Sequence, residues 1–250
     1  MSTATSVDTA IATVEAAQDA LLATNDPKKM DNVAFRGARY DHGLAWVHFP
    51  EGCGGLGLRP DLNRLVEERL RKAGAAPQDP ATFFIALAGP TIATHGSDEV
   101  KKRFLRPMFT GEEKWCQLFS EPGAGSDFAG LGTRAVRDGD EWVINGQKIW
   151  TSFGEVADYC YLICRTSNDG PPHAGISEII VPMNTPGIDV RPIQDMTTNR
   201  HFCEVFYTDV RVPKANLVGK QGGAFAQTMR QLEHERGGID RLVSNKALYD

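Results

Sequence analysis

WCQLFSEPGAGSD, residues 115–127, marks the point at which the chain changes character. Before it, apolar residues recur at spacings of three and four, the period of a helix buried on one face. After it they alternate. TRAVRDGDEWVING (133–146) places alternating inward and outward residues around Asp138-Gly139-Asp140, the pattern of a β-hairpin. DYCYLICRT, ISEIIVPM, IDVRPI and CEVFYTDVRV follow, short runs rich in β-branched and aromatic residues separated by Gly, Pro, Asn and Asp. Residues 114–218 therefore read as a mainly antiparallel β domain.

Working back from Trp115, residues 1–113 read as an all-α domain. VDTAIATVEAAQDALLATN aligns Val7, Ile11, Val14, Ala17 and Leu21 on one helical face. DLNRLVEERLRKAG (61–74) opens on Pro60 and Asp61, shares a face through Leu62, Leu65, Val66 and Leu70, and is followed by Gly74. FPEGCGGLGLRP lies between these helices as a loop. PATFFIALAGPTIATHG predicts a buried helix interrupted near Gly89-Pro90, and SDEVKKRFLRPMFTG a further helix stopped by Pro107. Beyond residue 218, AFAQTMRQLEHERGGIDRLVSNKALYD returns to helical spacing through Phe225, Met229, Leu232, Ile239 and Leu242. Residues 219–250 are read as the first helix of an incomplete bundle.

Composition excludes several classes. Lys and Arg total 27 against 32 Asp and Glu, a net charge of -5, so there is no broad basic surface for nucleic acid. No run approaches the ~20 apolar residues of a membrane span. The first 25 residues lack the basic start and apolar core of a secretory signal, and no Arg precedes Arg36, which predicts a cytoplasmic protein. The five cysteines show no CxxC pair and read as buried thiols; the six histidines show no HxxxH spacing, so a metal site is not expected. No GxSxG elbow is present.

In SEPGAGSD (120–127), Gly123 and Gly125 leave room for backbone N–H groups to approach an anion. Glycine content alone fits a tight polar turn equally well. In GQKIWTS (146–152), Trp150 beside Thr151 and Ser152 offers a flat π-surface with hydroxyls; taken locally, that tryptophan reads first as a core residue. Together and in this order, the two segments resemble the acyl-CoA dehydrogenase family. FPEGCGGLGL, HGSDEVKKRFLRPMFTGEE and VFYTDVRVPKANLVGK extend the resemblance across almost the whole chain, and it implies that residues 114–218 form an antiparallel β-barrel that binds FAD.

The resemblance implies an FAD-dependent enzyme of lipid catabolism and β-oxidation. It removes the α-proton of an acyl-CoA thioester while the β-hydrogen passes as hydride to the flavin, giving a trans-2-enoyl-CoA. Gln117, Leu118, Phe119, Ser120, Gly125 and Ser126 would line FAD, Ser126 also facing substrate, and Trp150, Thr151 and Ser152 would cover the flavin. Glu235 aligns with the catalytic base of some members, others carrying theirs farther along; Glu233 and Arg236 match substrate-contacting positions. The run of four polar residues 233–236 equally suits a solvated helix face. An electron-transfer flavoprotein or similar acceptor and a homo- or hetero-oligomer are the implied partners. The rival readings are a non-catalytic partner subunit that keeps the fold, and a flavin oxidase or monooxygenase on the same scaffold.

Overall fold

The computed structural model describes residues 7–77 and 85–229. Its helices are α1 (Val7–Thr24), α2 (Asn32–Asp41), α3 (Asn63–Ala73), α4 (Ile85–His95) and α5 (Asp98–Thr110). The chain divides into two compact units. One gathers the residues before 83 with 98–113; the other gathers 83–97, and so α4, with the chain from Lys114 onward.

In the helical unit, the buried stripe of α1 is Ala10, Val14, Gln18 and Leu21, rotated from the expected face so that Val7 is exposed and Ile11 and Ala17 flank the core. Gln18 can occupy that stripe because its side-chain N–H donates to the Leu65 carbonyl at 3.2 Å, which satisfies a polar group otherwise costly to bury. The 3₁₀ turn Pro60–Leu62 leads into α3, which buries Val66 and Leu70 and ends on Gly74 at φ 95°, a left-handed cap suited to glycine.

Helix α2 was not anticipated. Its ten residues carry few large apolar side chains, chiefly Phe35 and Tyr40, so periodicity is faint; Asp31 instead fixes its start by accepting from the N–H groups of Val33 and Ala34. Two proline expectations are also corrected. Helix α4 runs through Pro90 to His95, and α5 runs through Pro107 to Thr110. An internal proline costs ~3 kcal/mol. The turn after Pro107 buries Met108 and Phe109 completely, and such side chains contribute roughly 1.5–3 kcal/mol each, enough to keep the helix going.

The second unit contains one eight-stranded sheet: β1 (Trp115–Leu118), β2 (Arg134–Asp138), β3 (Glu141–Ser152), β4 (Tyr159–Arg165), β5 (Ile176–Pro182), β6 (Ile188–Ile193), β7 (Phe202–Pro213) and β8 (Leu217–Val218). The order is β6-β7-β3-β2-β4-β5-β8, with β1 beside β4. Most pairs are antiparallel, as expected, and β2 and β3 join through Gly139 at φ 59°. Strands β1 and β4 are parallel, and β2 meets β4 at a single parallel pair, Arg134–Arg165. The long connection from β1 to β4 supplies the crossover that a parallel pair needs.

Inward residues of the sheet, among them Leu118, Trp142, Ile144, Leu162, Val181 and Val205, build the core together with Cys116, Cys160, Cys164 and Cys203. All five cysteines are buried and free. Burial pushes the Cys160 and Cys164 thiols up to about 12. After β8 the chain runs along β5, where Gly223 bridges Ile176, and forms helical turns at 224–229. Among the described residues no helix is long and apolar enough to cross a membrane.

Candidate functional site

The loop after β1 is a tight turn on a rigid base. Glu121 N–H donates to the Ala124 carbonyl at 2.9 Å and Ala124 N–H returns to Glu121 at 3.1 Å, with Pro122 and Gly123 between them. Proline's fixed φ suits the second position of such a turn. The Glu121 carboxylate reaches back to accept from Gly132 N–H at 2.6 Å and Thr133 N–H at 2.9 Å. Its third partner is the Lys148 ammonium at 2.8 Å, which also donates to the Phe119 carbonyl at 2.9 Å.

Lys148 lies on β3 and its side chain is fully buried. Burial alone would raise the Glu121 carboxyl, but the Lys148 charge and the N–H donors outweigh it and hold the carboxyl below its usual range. Burial pulls the Lys148 ammonium down from its ordinary value, against the opposing pull of Glu121. A charge pair sharing two backbone N–H groups and a carbonyl thus staples the loop to the ends of β1, β2 and β3. It satisfies the condition under which burying a charge is tolerable.

The loop's tip faces outward: Gly123, Gly125 and Ser126 are exposed. A Cβ at Gly123 or Gly125 would meet nothing within 4 Å, and neither residue has the left-handed backbone that favours glycine. Nothing inside the described chain requires glycine at these positions. What they provide is backbone that an external group can approach closely.

The second motif lies beside the first, because Ile149 N–H donates to the Ser120 carbonyl at 2.9 Å. Along β3 the even-numbered residues Trp142, Ile144 and Lys148 point inward, so Trp150 should follow them. It does not. The pairing of β3 with β7 slips between Lys148 and Thr151, and Trp150 takes φ 62°. A one-residue bulge exchanges the two faces of a strand, which leaves Trp150 58% exposed and Thr151 buried. The reading of Trp150 as a core residue is therefore overturned; Trp142 fills that role. The Trp150 indole stands edge-on to Phe202, with ring centroids 6.1 Å apart.

Two buried polar atoms here lack a hydrogen-bond partner among the described residues: the Thr151 hydroxyl and the Gln117 amide oxygen. Leaving such a group unpaired costs about 1–3 kcal/mol. An exposed aromatic plane on a strained backbone, unpaired polar atoms on both segments and an approachable glycine loop fit the flat, polar-edged ring and diphosphate of a flavin dinucleotide.

The other expected site residues are distributed as follows. The Leu118 side chain is packed in the sheet core, leaving only its backbone for a ligand. Phe119, Ser120 and Ser152 are half-buried. Phe119 belongs to a cluster of Ala124, Leu131, Ile163, Ile176, Ala224, Phe128 and Phe225 that joins the flanks of the loop to the turns at 224–229. Glu233, Glu235 and Arg236 lie outside the described residues. Sequence reading missed Glu121 and Lys148; the signal was a lysine at an inward position of an otherwise apolar strand. Among the described residues no three His, Cys, Asp or Glu side chains gather as a metal site.

Comparison with known proteins agrees with this geometry. The family model described as "Acyl-CoA dehydrogenase, N-terminal domain" matches residues 7–112, and "Acyl-CoA dehydrogenase, middle domain" matches residues 116–210. The acyl-CoA dehydrogenase IpdE1 of Mycobacterium tuberculosis is 40% identical over 195 residues, covering 78% of this chain and 50% of its own. The structure of the ChsE4-ChsE5 complex from Mycobacterium tuberculosis is 32% identical with TM-score 0.65, covering 94% of this chain and 61% of that one. The structure of the Tcur3481-Tcur3483 steroid ACAD is 30% identical with TM-score 0.66, covering 95% and 66%. The chain spans about half the length of the curated relatives it matches. Its two motifs, its helical and β units and these matches agree, and the chain belongs to the acyl-CoA dehydrogenase family.

Proposed function

We propose that this chain forms the N-terminal and middle parts of an FAD-dependent dehydrogenase that converts an acyl-CoA thioester to its trans-2-enoyl-CoA. The observation that carries the reading is the bulge that turns Trp150 outward beside the stapled loop 120–127. Trp150, Thr151 and Ser152 would cover the flavin ring, and Gln117, Leu118, Phe119, Ser120, Gly125 and Ser126 would line FAD, with Phe119 and Ser120 addressing its ring and Ser126 shared with substrate. The unpaired Thr151 hydroxyl and Gln117 amide oxygen gain partners in that arrangement. FAD, when bound, accepts the β-hydrogen as hydride.

The chain's own chemical task is the α-proton, which is weakly acidic and needs a desolvated carboxylate. Glu235 is the base assigned here: its carboxylate takes the α-proton, while Glu233 and Arg236 contact substrate. Residues 1–113, 114–218 and 219–250 serve as the three segments of this arrangement. Likeness to the Tcur3481-Tcur3483 steroid ACAD favours a steroid-linked acyl group, and likeness to the ChsE4-ChsE5 complex favours a hetero-oligomer. We place the enzyme in the cytoplasm, handing electrons to an electron-transfer flavoprotein.

The test is anaerobic addition of a steroid-linked acyl-CoA to the purified full-length protein. Bleaching of a copurified yellow flavin supports the reading, and its loss in Glu235→Gln supports the base. Bound flavin that no acyl-CoA bleaches favours the partner-subunit reading, and hydrogen peroxide formed in air favours an oxidase.

A further inference from the structure

Glu178 takes no part in the site described above, yet it is the most unusual carboxylate among the described residues. It sits on β5, is fully buried, and has Ile163 and Val218 as its cross-strand neighbours. One carboxyl oxygen accepts from the Thr228 hydroxyl at 3.0 Å, and the other accepts from the side-chain N–H of Gln227. The buried Tyr161 hydroxyl, which has no hydrogen-bond partner among the described residues, lies near this carboxyl and near Thr91 of α4. Three elements therefore meet on this carboxyl: β4, β5 and the helical turns at 224–229.

No cation is among them. Facing Glu178 are Tyr161 and Cys164 from β4, Gln227 and Thr228 from the helical turns, Val218 from β8 and, through Tyr161, Thr91 from α4. Burial holds both titratable neighbours uncharged at neutral pH, pushing Cys164 up to about 12 and Tyr161 well above its usual value. Glu121 shows the contrast, since its carboxyl has Lys148 at 2.8 Å. For Glu178, burial outweighs the hydrogen bonds and pushes the carboxyl up to about 7.

We propose that Glu178 is the positioning residue for the start of the C-terminal segment, a carboxyl clasp that holds residues 224–229 on the sheet while neutral and loosens them when it ionises. A hydroxyl partner suits such a clasp, because Thr228 can donate to the carboxylate or accept from the acid. The sign follows from linkage. A carboxyl raised from 4.5 to about 7 contributes its full share to attachment below pH 4.5, and loses that share as pH rises through about 7. With an ordinary carboxyl in the detached state, attachment weakens about tenfold between about pH 6 and 8.

The turns that Glu178 holds also cover the flank of the loop. Ala224 is fully buried in the cluster with Ala124, and the Phe225 ring lies tilted 5.9 Å from that of Phe128, whose ring in turn lies 6.0 Å from Phe119. Loosening 224–229 exposes that flank. The inference stands whether or not Glu235 is the base, because it concerns attachment and not turnover.

Amide hydrogen exchange on the full-length, flavin-loaded protein tests it, with the intrinsic pH dependence of exchange divided out. Protection of residues 224–229 should fall about tenfold from about pH 6 to 8 while that of β7 stays constant. In Glu178→Gln, which mimics the neutral acid, the protection should stay flat. Should that variant fail to fold, infrared difference spectra of the wild type should show a buried acid carbonyl titrating near pH 7 in step with the loss of protection. Flat protection in the wild type, the same fall in Glu178→Gln, or a carboxyl already ionised at pH 6 would overturn the proposal.

Discussion

Replacing Lys148 with methionine keeps most of the length of the side chain and removes its charge. Glu121 then remains a carboxylate with two N–H donors, its side chain only 9% exposed and its cation gone, while the Phe119 carbonyl loses its Lys148 donor. Breaking a buried pair from one side costs about 3–5 kcal/mol. For a chain of this size that lowers Tm by roughly 6–20 °C. Urea denaturation of the full-length protein should resolve the loss directly, and Lys148→Met with Glu121→Gln should return to within about 2 kcal/mol of wild type, because no charge is then stranded. The pH dependence has a definite sign. The folded Glu121 carboxyl is held below 4.5, so the stability it contributes is present above that pH and is lost as pH falls through its lowered value. A cost under about 1 kcal/mol for Lys148→Met, or a double variant as unstable as the sum of the singles, would refute the reasoning.

Four other outcomes follow from the same geometry. Gly123→Ala and Gly125→Ala should leave stability within about 0.5 kcal/mol while weakening flavin binding, since the added methyl meets nothing in the chain; equilibrium dialysis against FAD and a urea curve separate the two. Trp150→Gly should leave the flavin-free protein as stable or slightly more so, because φ 62° suits glycine, yet release flavin faster in stopped-flow displacement. Thr151→Val should stabilise the flavin-free protein by up to about 1 kcal/mol and weaken flavin binding, the reverse of an ordinary core substitution, as read by calorimetry with and without FAD. Cys160 and Cys164 should resist alkylation at about pH 8 in the native protein and react once it is unfolded, as mass spectrometry of the labelled peptides will show.

Features with local causes were legible in the sequence. The Asp138-Gly139-Asp140 turn fixes the β2–β3 hairpin, Pro60 and Gly74 bracket α3 with its entry turn, and short runs of β-branched and aromatic residues between turn residues reveal β4 to β7. Features set by distant partners were not. Pro90 and Pro107 look like helix breakers until the burial of the residues after them is known. The bulge at Trp150 arises from register with β7, and nothing within GQKIWTS reveals which side chain is displaced. Lys148 and Glu121 are 27 residues apart, and Glu178 meets Thr228 across 50, so neither cluster has a spacing that a sequence pattern could detect. The two motifs of the candidate site were legible individually; the Ile149 to Ser120 hydrogen bond that joins them was not.

The most direct test of the account is hydrogen exchange on the full-length protein with and without FAD. FAD should slow exchange at residues 117–126 and at 149–152 together. Protection confined to other parts of the chain, with both segments unchanged, would contradict the assignment of these residues as the flavin site.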